Sequence, residues 1–193
     1  MKWLLGIARG IDRVNAALGR WVIWTILAAV LVSAGNAVVR KLFNYSSNAW
    51  LEAQWYLYGA AFMIGASLVL QQNEHIRIDI IYGQFSRRVQ HWIDLAGHLL
   101  FLMPFVLLMD FALVPWVSGS VRSGEMSASA GGLILWPAKS LLLLGFAQLT
   151  AQGVSEILKK IAVIRGLIPD PHPFVSVHAA AEAEGAALVE ELR

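Results

Sequence analysis

Three ionisable side chains alternate in the stretch "EHIRIDIIY" at 74–82: His75, Arg77 and Asp79, with Ile76, Ile78 and Ile80 between them. In a chain only 15% charged, such a cluster invites a chemical reading. A histidine beside a carboxylate can act as a general-base dyad, and either group can hold a metal. Asp94 and His98 offer the same pair four residues apart, hence on one helical face. A dyad needs a nucleophile and a pocket, and no serine or cysteine in a nucleophile motif accompanies this one. The chain has no cysteine, which excludes thiolate metal sites and disulfides. It also lacks the GxGxxG, P-loop and HExxH patterns. His91 and His98 are seven apart on one face, which cannot clamp a haem from two sides. With His75 in a loop, a haem-binding or non-haem membrane anchor of a redox enzyme is the alternative reading.

The elements that carry these residues are set by hydropathy. The chain of 193 residues is 58% hydrophobic, with a mean hydropathy of +0.60. A soluble domain is nearer 45–50% apolar and about 25% charged. Four runs are long enough to cross a bilayer, which takes about 20 residues. They fall at about 21–39, 50–70, 92–117 and 133–154. All eight tryptophans lie at or near the ends of these runs or in the N-terminal segment, as an aromatic belt requires. The expected fold is an all-α membrane protein with four transmembrane helices, occupying residues 1–165. Lys and Arg set its orientation. Eleven of the fifteen lie in the N-terminal segment, the second loop and the C-terminal side. Arg40, Lys41 and Arg122 lie on the other side, and Lys139 is inside a span. The positive-inside rule then puts both termini in the cytoplasm. A net charge of +2 gives no sign of nucleic-acid binding.

Outside the spans, Leu4, Ile7, Ile11, Val14, Leu18 and Trp21 recur every three or four residues, with Arg9, Asp12 and Arg13 off that stripe. This predicts an amphipathic helix over 1–18, lying in the membrane interface or packed on another subunit. Ile78, Ile81, Tyr82, Phe85 and Val89 predict a second interfacial helix between spans two and three, starting from about Asp79. Ser86 is a candidate N-cap for a helix running into the third span. The tail at 166–193 is first Pro-rich, then Ala/Glu-rich.

Ionisable groups inside spans are costly, by about 2.5–3.5 kcal/mol at the centre on insertion scales. The candidates are Glu52, Asp94, Asp110 and Lys139. Asp110 and Lys139 sit near facing ends of consecutive antiparallel helices. They are expected to form an intramembrane ion pair that fixes those helices, rather than a proton relay. Glu52 opens the second span within reach of Arg40 and Lys41, and can serve the helix macrodipole or a protein contact. Small residues at Ala29, Ser33 and Ala37, and at Ala61 and Gly65, have helix-packing spacing. Pro104 is expected to kink the third span. No set of polar residues converges as a stand-alone small carrier would need.

Taken in order, these marks resemble a family. Arg40 and Phe43 follow the first span, Trp50 and Glu52 open the second with Trp55 on its rim, and H-x-R-x-D at His75, Arg77 and Asp79 follows it. The stretch from Arg40 to Leu95 resembles the small membrane subunit of tripartite ATP-independent periplasmic (TRAP) transporters, the DctQ-like family. Ala53 departs from it, since many members carry a second acid there. The resemblance implies a non-enzymatic Q-type subunit of the bacterial inner membrane. Its implied partners are a large M-type membrane subunit, a periplasmic substrate-binding protein and the lipid bilayer. It implies uptake of organic acids, with no cofactor in this chain and sodium ions bound in the large subunit. The small subunit would brace the large one and help dock the binding protein.

Overall fold

The computed structural model describes residues 2–73 and 82–171. Four helices long and apolar enough to cross a membrane make up nearly all of it. They are α1 (Lys2–Phe43), α2 (Asn48–Gln72), α3 (Arg87–Ser123) and α4 (Trp136–Ile164). No β-strand occurs among the described residues; one isolated bridge joins Met126 and Ile134. The chain runs up and down four times, so both ends of the described chain lie at one end of the bundle. α4 is the central helix and packs on α1, α2 and α3, while α1 also packs on α2.

The helices run beyond the predicted spans, for identifiable reasons. α1 is unbroken over 42 residues, about 63 Å at 1.5 Å per residue. The expected separate helix over 1–18 is therefore a direct continuation of the first span, since nothing in the sequence breaks the 3.6-residue period around Arg20. Its orientation is a second surprise. Ala8, Asn15 and Gly19 are buried, whereas Ile7, Val14, Leu18 and Trp21 of the apolar stripe are exposed. Asp12 and Asn15 face the bundle, while Arg9 and Arg13 are exposed.

α3 starts at Arg87 behind Ser86, whose extended backbone ends the preceding turn without a side-chain cap. It contains a π-helical turn at His98–Leu102, just before Pro104. A proline ring clashes with the carbonyl four residues back, and a widened turn relieves that clash. The expected kink thus takes the form of a π-turn. α4 ends at a left-handed Gly166, where the Leu167 amide donates to Ala162 O over 2.9 Å.

Glycines let the helices approach closely. A Cβ on Gly145 would lie 2.5 Å from Met63 Cβ, so α2 and α4 meet there at backbone distance. Gly153 meets Met103 Sδ, and Gly19 meets Leu68. Gly65, expected at an interface, has open space before it, whereas Ala29 and Ala61 are buried.

Candidate functional site

At the end of the bundle away from the described termini, the α3–α4 connection folds into a small hairpin-like cap. The Ser127 amide donates to Leu133 O over 2.9 Å, and the Leu135 amide to Glu125 O over 3.0 Å. Gly131 at φ +68° supplies a turn few side chains would adopt. Glu52, one turn into α2, holds this cap. Its Oε1 accepts from Ser127 Oγ, and its Oε2 accepts from the Leu133 amide over 2.6 Å. Tyr56 Oη donates to Ile134 O over 2.9 Å, and Asn48 Nδ2 to Ala130 O over 2.9 Å. A Cβ on Gly132 would stand 2.6 Å from Ser127 Cβ and 2.8 Å from Glu52 Oε1, so the cap closes only around a glycine. Glu52 therefore uses both carboxylate oxygens on the cap, and not on Arg40 or Lys41. Trp50 lies against Gly35 of α1, while Trp55 and Arg40 are exposed.

The expected Asp110–Lys139 pair does not form. Lys139 instead pairs with Glu125, which also accepts from Ser120 Oγ over 2.6 Å. The ammonium lies 4.3 Å from the centre of the Trp116 ring. Asp110 accepts from Thr150 Oγ1 over 2.7 Å. The reason is depth. α3 continues to Ser123 and α4 starts only at Trp136, so Lys139 is in the first turn of α4 while Asp110 lies more than three turns inside α3. Equal depth on α4 falls near Thr150.

The opposite end holds a denser network, which sequence reasoning missed. Asp12 of α1 accepts from Gln152 Nε2 at 3.0 Å, Ser155 Oγ at 2.9 Å and Lys159 Nζ at 3.2 Å. Asn15 donates to Gln152 Oε1 and accepts from Gln148 Nε2 over 2.8 Å. Glu156 accepts from Gln152 over 2.8 Å and pairs with Lys159 at 2.5 Å. Lys160 donates to Asp94 Oδ2 of α3 over 2.7 Å, and Tyr82 Oη donates to Asp94 Oδ1 over 2.9 Å. From α2, Gln71 Nε2 donates to the Asp12 carbonyl over 3.1 Å. Just beyond, Arg87 of α3 pairs at 2.5 Å with Asp170, which follows α4.

Asn15, Gln152 and Ser155 are almost completely buried, and Asp94, Glu156 and Lys160 nearly so. Burying such groups is tolerable only when they are paired and hydrogen-bonded. Each carboxylate here meets an ammonium, an amide or a hydroxyl. The signal lay in α4, where Gln148, Gln152, Ser155, Glu156 and Lys159 share a face at offsets of 4, 7, 8 and 11. Asp94 and His98, four apart on one face, meet through the Asp94 backbone. His98 Nδ1 donates to the Asp94 backbone carbonyl over 2.7 Å, and the Asp94 carboxylate is taken by Lys160 and Tyr82. No group of three or more His, Cys, Asp or Glu able to hold a metal occurs among the described residues. His75, Arg77 and Asp79, with the start of the predicted loop helix, lie outside the described residues, as does the tail from 172 on.

The arrangement locks helices and a cap in place rather than assembling a reaction centre. The family model "Tripartite ATP-independent periplasmic transporters, DctQ component" matches residues 29–163. No curated protein and no solved structure matches the chain.

Proposed function

The chain belongs to the DctQ component family of tripartite ATP-independent periplasmic transporters, and from that premise we propose that it is the scaffold that holds a large transport subunit at a fixed depth and tilt. The family is a transporter component, not an enzyme, and with four apolar helices the chain is a multi-pass inner-membrane protein. The observation that carries the scaffold reading is the inverted first half of α1. Asp12 and Asn15 are tied into α4, and Ile7, Val14, Leu18 and Trp21 of its apolar stripe are left outward. That stripe borders a groove of about 640 Å³ between α1, α2 and α4, lined by Ile7, Val14, Leu18, Ile64 and Leu144. A surface this apolar favours burial against lipid or another membrane helix. In this reading the groove side receives the large subunit.

The distribution of Lys and Arg supports cytoplasmic termini, which puts the Glu52-held cap in the periplasm. There the cap would face the binding protein. Glu52 shapes that surface without touching the partner, since both its oxygens are engaged. The cargo is read as an organic acid moved with sodium, and both would be held by the large subunit. Affinity purification of the tagged chain from its native membrane tests this reading. A large polytopic subunit should co-purify. Transport by reconstituted vesicles containing this chain alone would overturn it.

A further inference from the structure

A second groove, of about 620 Å³, lies between α1 and α2 near the end that carries the described termini. It combines two kinds of lining. Arg13 and Arg20 of α1 and Gln72 of α2 contribute polar groups, and Ala16, Ile23 and Leu68 contribute apolar ones. Positions 13, 16, 20 and 23 follow a spacing of three and four, so they form one face of α1. Ala16 between the arginines leaves the space open. Beneath them the helices touch, since a Cβ on Gly19 would lie 2.6 Å from Leu68 Cδ2.

The two guanidiniums have no carboxylate partner among the described residues. Asp12, next to Arg13 in sequence, is turned the other way, onto Gln152, Ser155 and Lys159. Arg20 adjoins the exposed Trp21 and Trp24, side chains that favour the headgroup level. Two cations at that level with no carboxylate partner among the described residues, above an apolar channel between two helices, match the chemistry of a lipid with a negative head and aliphatic tails. We propose that this groove binds an anionic phospholipid, its phosphate on Arg13 and Arg20 and an acyl chain along Ala16, Ile23 and Leu68.

The test uses the full-length chain in nanodiscs of phosphatidylcholine containing a minor fraction of phosphatidylglycerol, with retained lipid counted by native mass spectrometry. Phosphatidylglycerol should be retained selectively. Joint Arg13→Gln and Arg20→Gln substitution should lower its retention by about thirtyfold, given roughly 1 kcal/mol per basic residue at a membrane surface. Both side chains are exposed, so the fold should survive. Ala16→Phe fills the channel at unchanged charge and should cause a similar loss. Inorganic phosphate should compete poorly, because it has no chain to seat. Equal retention in all variants would overturn the proposal. Loss in the arginine variant but not in Ala16→Phe would also overturn it, as diffuse attraction to the bilayer. So would retention of a co-purified protein, rather than lipid, that depends on the two arginines.

Discussion

The two ends of the bundle use polar groups in opposite ways. Near the described termini, side chains bond to side chains of other helices: Asp12 and Asn15 to α4, and Lys160 to Asp94 of α3. At the other end, side chains from α2 bond to the backbone of one connection: Glu52 to the Leu133 amide, Tyr56 to Ile134 O and Asn48 to Ala130 O. The first pattern fixes helices against one another and tolerates little loss. The second fixes the shape of a loop. Damage at the first end should therefore spread through the bundle, whereas damage at the second should stay local.

The strongest way to break this contrast is Lys160→Met, which takes away the ammonium that donates to the buried Asp94 Oδ2. Removing one partner of a buried pair costs about 3–5 kcal/mol. Thermal unfolding in detergent should report a loss of that order, and Asp94→Asn added to Lys160→Met should restore part of it. A midpoint unchanged by the single substitution would refute the rigid role of this end. Next in size is Gly145→Ala, whose Cβ would meet Met63 Cβ rather than a flexible tip. Overpacking of this kind costs about 1–3 kcal/mol, and the same unfolding assay should register it.

Glu52→Gln sharpens the other side of the comparison. Its amide NH₂ would replace one of two acceptor oxygens, so hydrogen exchange should speed up at Leu133 and Ser127 while the amides of α2 and α4 keep their protection. Exchange spreading into α4 would show that the cap is not a local unit. Membrane insertion should be unchanged. Arg87→Gln should matter least, because the Arg87 side chain is 41% exposed and such pairs contribute about 0–1 kcal/mol.

The contrast also explains what could be read from the sequence. The spans at 50–70 and 92–117 lie inside α2 and α3 because length and hydropathy alone define them. The fourth window stopped at 154 where hydropathy falls, yet α4 runs to Ile164, because its polar residues face other helices instead of water. Periodicity revealed the stripe on α1 but not which side of it faces inward, since a helix wheel has no view of its neighbours. Glu52 was found because a lone acid at a span start is conspicuous. Its actual partners were not, because they are a hydroxyl and a backbone amide 75 and 81 residues away. Opposite charge and a depth counted from the apolar runs pair Asp110 with Lys139 in the sequence, and a shift of a few turns in the helix ends gives each a different partner.

The polar face of α4 also bears on how the protein is made. Synthesis begins at the N-terminus, so α1, with Asp12 and Asn15, leaves the ribosome first and α4 last. Alone in the bilayer, a segment carrying Gln148, Gln152, Glu156 and Lys159 is a poor substrate for the insertion machinery. Its hydrogen-bonding partners on α1 and α3 are already in the membrane when it arrives. The order of the helices along the chain is thus also a workable order of insertion, with the least hydrophobic face delivered last to a cleft ready to accept it.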